Sequence, residues 1–171
     1  APATSTWLLQ SGAPWQEDTS IPGKLTYTQP KSGVVASAKK TTSDAFGGNV
    51  LMSARIRSDH PYEGSHAAII VRGASLVPWS GVQRGYFIDI DFFGRAIVIN
   101  KAVSGAQSAV SSSVSVQWDW GVDYDFSLSA KTTNSVTALV AQVKRVSDGF
   151  YLQTNGTFAS TAANVFSVTD S

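Results

Sequence analysis

Short segments rich in β-branched and aromatic residues follow one another along this chain, separated by glycine, asparagine, aspartate and proline. Val, Ile, Thr, Tyr and Phe favour strands, whereas the separating residues favour turns. Ser135–Val143 is the segment that most nearly fits a helix, but its β-branched residues and flanking turns disfavour that interpretation. The pattern therefore predicts an all-β fold.

Twelve strands are predicted from these segments and the turns that bound them. They are Ser5–Gln10, Lys24–Gln29, Val34–Lys39, Asn49–Arg57, Ala67–Arg72, Gly85–Asp91, Arg95–Lys101, Ser111–Gln117, Asp123–Ala130, Ser135–Val143, Phe150–Gln153 and Asn164–Thr169. That many strands in 171 residues fit two sheets packed face to face. We expect a two-sheet antiparallel β-sandwich.

Turn residues mark where consecutive strands form hairpins. Phe93-Gly94 predicts a tight two-residue hairpin, and Thr133-Asn134 and Asp148-Gly149 predict the next two. Asn155-Gly156-Thr157 predicts a further turn, and it is also a glycosylation sequon.

The charge balance excludes several classes of partner. The chain has 13 basic and 12 acidic side chains and a net charge of +1. A nucleic-acid binder that relies on bulk electrostatics would carry a strongly basic stripe. The longest uncharged apolar runs are about five residues, against the roughly 20 that a membrane-spanning helix needs. Without cysteine, the chain has no disulfide and no thiolate metal site. We therefore expect no nucleic-acid partner and no membrane partner.

Length and composition predict a single domain over residues 1–171. Lysine and glutamate are scarce while serine and threonine are abundant, which favours a secreted, extracellular protein. We expect it to be monomeric or a module of a larger enzyme. Its first residue is then either the start of a mature secreted protein or the edge of a domain excised from, or preceding, a larger secreted enzyme.

An ordered series of motifs covers residues 49–153. It begins with NVLMSARIRS and AAIIVRG, continues with GYFIDIDFFGRAIVINK, and ends with WDWGVDYDFSLSA, SVTALVAQV and DGFYL. This order resembles the laminin-G-like modules of the concanavalin A-like lectin and glucanase superfamily. Within that superfamily it is most similar to the fructan-binding carbohydrate-binding modules of family 66. The resemblance implies a jelly-roll sandwich that binds a polysaccharide.

Strand alternation predicts a charged outer face. Neighbouring residues in a strand point to opposite sides of the sheet, and the apolar members must face the core. If the predicted strands Asn49–Arg57, Ala67–Arg72 and Gly85–Asp91 are neighbours, the outer face of one sheet collects Arg55, Arg57, Arg72, Asp89 and Asp91. Guanidinium and carboxylate groups together match the vicinal hydroxyls of a sugar. The alternative is an ion-pair ladder that only solvates the sheet.

Two long predicted loops, Ser58–Gly64 and Gly73–Gly85, add aromatic side chains near this face. Tyr62 and Trp79 offer flat apolar surfaces for the C–H faces of a sugar ring. Trp118 is another aromatic candidate, but it matches a position that is usually in the core of laminin-G-like modules.

The resemblance to fructan-binding modules implies one particular ligand set. Such modules use acidic residues and arginine around a terminal fructose, which here implies Glu63 together with Arg72 and Asp89. An ordinary surface loop around Glu63 is the alternative.

No cofactor is required by any motif, and a structural Ca²⁺ is the metal that fits best. Calcium takes carboxylate and backbone oxygens, and many members of the superfamily carry it. The candidate ligands are Glu17, Asp18, Asp44 and Asp170. His60 and His66 lack a suitably spaced third ligand for zinc.

We do not expect catalysis. Glycosidases of this fold family place their carboxylates as E-x-D-x-x-E on one strand, and the glutamates here are Glu17 and Glu63 alone. Asp89 and Asp91 lie on one face, about 7 Å apart by strand geometry, a spacing that suits an inverting pair. We expect adjacent arginines to keep both ionised, which leaves no general acid. Nucleophile-elbow and nucleotide-binding fingerprints are absent from the sequence.

The sequence therefore predicts a non-catalytic carbohydrate-binding module. It would recognise a polysaccharide, fructan or a related glycan, and hold an attached glycoside hydrolase near it. Two alternatives come from other classes of protein: a laminin-G-like domain for protein interaction or adhesion, and a small β-sandwich glycoside hydrolase or polysaccharide lyase.

Overall fold

A computed structural model describes residues 49–58, 66–72 and 84–171, together with the backbone of six short strands elsewhere. In chain order the strands are β1 (Thr6–Leu9), β2 (Gln16–Glu17), β3 (Leu25–Thr26), β4 (Ala38–Thr41), β5 (Asn49–Arg57), β6 (His66–Val71), β7 (Leu76–Val77), β8 (Gly81–Val82), β9 (Arg84–Asp91), β10 (Ala96–Val103), β11 (Ala106–Ala109), β12 (Val114–Ser115), β13 (Asp123–Thr133), β14 (Val136–Arg145), β15 (Tyr151–Leu152), β16 (Phe158–Ala159) and β17 (Phe166–Asp170). The described residues include no helix that could cross a bilayer.

Two antiparallel sheets form the body of the fold. The smaller sheet has the order β11–β10–β9–β6, and β12 pairs with the other half of β10. The larger sheet has the order β16–β15–β14–β13–β5, and β17 also pairs with β14. The short strands form the pairs β1–β4, β2–β3 and β7–β8. The predicted all-β fold with two antiparallel sheets is confirmed.

One hydrophobic core lies between the two sheets, because apolar and polar residues alternate along the long strands. Ile88 and Ile97 of the smaller sheet belong to the same buried cluster as Phe126 and Leu139 of the larger sheet. The side chain of Trp118 is 4% exposed, and its ring packs against the rings of neighbouring aromatic residues. Trp118 is therefore a core residue, as expected. The opposite sides of the sheets carry most of the charged residues, although Phe87 and Ala102 form a second, small buried cluster on the outer side of the smaller sheet.

The prediction of a continuous strand over Ser111–Gln117 is wrong. Within that range only Val114–Ser115 (β12) forms a strand, while β11 ends earlier, at Ala109, and a bend at Val110 and Ser111 separates the two. At the bend, the Ser111 hydroxyl accepts a hydrogen bond from the backbone N–H of Ile99 at 2.9 Å. A serine side chain that bonds to the backbone in this way competes with ladder pairing and interrupts the strand.

Hairpins form at the predicted places with shifted turns. The β13–β14 turn is Asn134-Ser135 rather than Thr133-Asn134, with φ of 50° and 67°, as a two-residue turn of the primed type requires. The β9–β10 link is four residues long, not two, because Asp91 pairs with Ala96.

Candidate functional site

The five charged residues predicted to share one outer face do not do so. Strand β5, which carries Arg55 and Arg57, lies in the larger sheet, whereas β6 and β9 lie in the smaller sheet. The prediction assumed that these three strands are neighbours. In the structure β5 pairs with β13, which places Arg55 opposite Asp125.

Arg72 points into the space between the sheets, not outward. It follows the last residue of β6 and has a left-handed backbone with φ of 57°, so strand alternation does not apply to its side chain. Its guanidinium donates a hydrogen bond to the hydroxyl of Thr132 on the larger sheet. Thr132 in turn shares a 2.8 Å hydrogen bond with Thr137, which is buried. Arg72 therefore links the two sheets.

Asp89 and Asp91 do lie on the outer face of the smaller sheet, but the predicted arginines are not beside them. Their titratable neighbour is His66, whose Nδ1 is 3.1 Å from Asp89 and whose Nε2 is 3.6 Å from Asp91. The expectation that the predicted arginines lie adjacent to these two carboxylates is therefore wrong. Sequence reasoning missed this use of His66, although the alternation of β6 places it on that face.

A bidentate ion pair marks the outer face of the larger sheet. Arg55 Nε lies 2.7 Å from one oxygen of Asp125, and Nη2 lies 2.9 Å from the other. The hydrogen bonds that Arg55 donates to Asp125 raise the pKa of the Arg55 guanidinium above its ordinary value. The side chains are 51% and 42% exposed, so the pair is open to solvent and to a ligand.

A shallow depression of about 470 Å³ surrounds this ion pair. Hydroxyl, amide, guanidinium, carboxylate and ammonium groups all border it. Its lining residues are Leu51, Ser53, Ala54, Arg55, Asp125, Phe126, Ser127, Gln142 and Lys144. The part formed by Leu51, Ser53, Arg55, Asp125, Ser127, Gln142 and Lys144 is called the Arg55–Asp125 face below.

Most residues of the Arg55–Asp125 face were not predicted as site residues from the sequence. The alternation in DYDFSLSA could have placed Asp125 and Ser127 outward, opposite Tyr124 and Phe126. The pairing of β13 with β5 could not be inferred in the same way, because Arg55 and Asp125 are separated by 70 positions.

Several predicted site residues lie outside the described residues. These are Tyr62, Glu63 and Trp79 of the two long loops, for which the sugar-binding role stays a prediction. Asp18 and Asp44 also lie outside, and only the backbone of Glu17 is described.

Asp170, the fourth candidate for calcium, makes two contacts within the fold. It lies 2.5 Å from Lys101 Nζ and accepts a 2.6 Å hydrogen bond from the Tyr86 hydroxyl. Within residues 49–58, 66–72 and 84–171, no group of three or more histidine or acidic side chains is arranged to hold a metal ion. The calcium site therefore stays a prediction.

Comparisons of this chain with protein-family models, with curated proteins and with solved structures found no match. The likeness to laminin-G-like modules stays a prediction from the motifs of residues 49–153.

Proposed function

We propose that this chain is a non-catalytic carbohydrate-binding module and that the Arg55–Asp125 face binds its polysaccharide. The observation that carries the proposal is the exposed bidentate pair of Arg55 and Asp125 within an open, polar depression. An open sheet face lets a polymer lie across it. A module of this kind keeps an attached glycoside hydrolase close to its substrate and raises the effective concentration.

Arg55 and Asp125 each keep hydrogen-bonding groups that their mutual contact does not use. A guanidinium has five N–H donors and a carboxylate has about four acceptor sites, of which the mutual contact uses two on each side. A sugar diol can therefore accept from Arg55 through one hydroxyl and donate to Asp125 through the next. Because each partner holds the other in place, little side-chain freedom is lost on binding.

Neutral groups complete the surface around the pair. Ser53, Ser127 and Gln142 supply hydroxyl and amide groups that both donate and accept hydrogen bonds. Leu51 is 68% exposed at the same face and offers apolar contact to the C–H groups of a sugar ring. This mixture of polar and apolar groups suits a sugar.

The lining of the depression supports binding rather than hydrolysis. Hydrolysis of a glycosidic bond generally needs two carboxyl groups, an acid and a base or nucleophile. Among the described residues, Asp125 is the one carboxylate that lines the depression, and Arg55 holds both of its oxygens.

Titration calorimetry against levan, inulin, β-glucan, arabinan and xylan tests the proposal. We expect at least one polymer to bind, and Arg55→Ala to weaken that binding about tenfold or more, because it removes charge-assisted hydrogen bonds. Arg84→Ala is the matched control, since Arg84 is exposed at the start of β9 in the other sheet. Turnover of a polymer, or absence of binding to every neutral and acidic polysaccharide, would contradict the proposal.

A further inference from the structure

The described outward positions on β5, β13 and β14 carry more positive than negative side chains. They include six charged side chains. The cations are Arg55, Arg57, Lys131 and Lys144, and the carboxylates are Asp123 and Asp125. Among the described outward positions of these three strands, four positive charges stand against two negative ones.

Lys144 is the positive charge that the depression leaves unbalanced. It lies directly opposite Asp125 on the neighbouring strand, but both oxygens of Asp125 are bound by Arg55. Among the described residues, no carboxylate lies within 4 Å of Lys144 Nζ. Its ammonium instead lies 5.6 Å from the centre of the Tyr151 ring, a cation–π contact that favours this position at the side of the depression.

We infer that the ligand of this face is a polysaccharide that carries carboxylate groups, and that Lys144 determines this specificity. The inference rests on the proposed function. Side chains directly opposite on neighbouring strands have Cβ atoms about 4.5–5.5 Å apart, so Lys144 and the ion pair are within reach of one sugar unit. A uronate presents its carboxylate to Lys144 while its hydroxyls contact Arg55 and Asp125. The bond between an ammonium and a carboxylate is charge-assisted and stronger than one to a neutral hydroxyl.

Acidic polymers and their neutral counterparts test this specificity. We would titrate the chain with polygalacturonate, alginate and glucuronoxylan, each beside its carboxyl-reduced form, which keeps the backbone and removes the charge. We expect at least one acidic polymer to bind about tenfold more tightly than its reduced form.

Two lysine variants test whether the preference arises at Lys144. Lys144→Gln is expected to abolish the preference for the acidic polymer. Lys131→Gln is the matched control, because it removes the same charge from the same face, six residues along β13 from Asp125, or about 20 Å. We expect it to change the affinity by less than about twofold, since solvent ions screen charges over about 10 Å.

The outcomes that would contradict the inference differ in what they imply for the proposed function. Equal binding of acidic and reduced polymers through Arg55 would overturn the inference and leave the proposed function intact. Equal losses in Lys144→Gln and Lys131→Gln, or equally tight binding of dextran sulfate, would show general attraction of polyanions and also overturn the inference. Absence of binding to every acidic and neutral polymer would overturn both.

Discussion

Lys101 and Asp170 join the two sheets of the sandwich, with the ammonium nitrogen and a carboxylate oxygen 2.5 Å apart. Lys101 lies on β10 of the smaller sheet, and Asp170 lies on β17, the final strand of the larger sheet. The Tyr86 hydroxyl donates to the same carboxylate oxygen at 2.6 Å. These two contacts fasten the C-terminal strand to the opposite sheet.

Asp170→Asn is expected to lower the Tm at neutral pH by about 2–4 °C, the shift that a modest loss of stability produces in a domain of this size. The amide still accepts from Tyr86 but no longer carries the charge that pairs with Lys101. Differential scanning calorimetry measures the change. An unchanged Tm would show that this contact contributes nothing to stability.

The same contact predicts a dependence on pH. Burial alone would raise the pKa of Asp170, but hydrogen bonds from Lys101 and Tyr86 outweigh burial and lower that pKa below its ordinary value of 3.8. The stabilisation is therefore complete above the ordinary value and is lost as the pH falls through the folded-state pKa. We expect the difference in unfolding free energy between the wild type and Asp170→Asn to be constant from about pH 5 to about pH 7. The difference should shrink as the pH falls below 3.8. A difference that grows in acid would contradict this account.

Alanine substitutions at Gly156 and Gly149, compared with each other, test how closely the turn at Gly156 packs against β12. Both have positive φ, +84° and +77°. A Cβ on Gly156 would lie 1.9 Å from the Ser115 carbonyl oxygen, whereas one on Gly149 would lie 3.7 Å from its nearest neighbour, Lys144 Cε. Gly149→Ala is expected to cost about 1–2 kcal/mol for the left-handed backbone. Gly156→Ala is expected to cost at least about 2 kcal/mol more, because the turn must move away from β12. Urea unfolding measures both, and equal costs would refute the predicted clash.

Arg72→Ala separates a structural from a ligand-binding role. Because Arg72 reaches Thr132 between the sheets, we expect the variant to lower the Tm by about 2–4 °C and to leave polysaccharide binding unchanged. Arg95→Ala is the control, since Arg95 also has positive φ but makes its hydrogen bond, to Gln117, on the exposed surface. Loss of binding without a change in Tm would restore Arg72 to the sugar site.

Local patterns in the sequence predicted the faces of the strands well. Alternation placed Ile69 and Val71 on the core side of β6, and Ile88 and Ile90 on that of β9, as the structure has them. The reason is that the period of two is a property of each strand alone.

Strand pairing and backbone exceptions could not be predicted from these patterns. The partner of β5 is β13, far along the chain, so the residue opposite Arg55 depends on the order of strands in the sheet. The side chain of Arg72 does not follow the alternation of the strand because its backbone is left-handed, and no sequence motif around it indicates that conformation. The predicted charged face failed for these two reasons, although the inward and outward positions within the strands were right.

The most direct test of the sugar site is affinity electrophoresis in gels that contain the polysaccharide bound best by the wild type. Two double variants are compared. The first combines Arg55→Ala and Asp125→Ala and removes the ion pair from the outer face of the larger sheet. The second combines Asp89→Asn and Asp91→Asn and removes two carboxylate charges from the outer face of the smaller sheet. We predict that the first variant migrates as it does without polysaccharide, while the second is retarded like the wild type. Retardation of the first and free migration of the second would contradict the account, because the site would then lie on the smaller sheet.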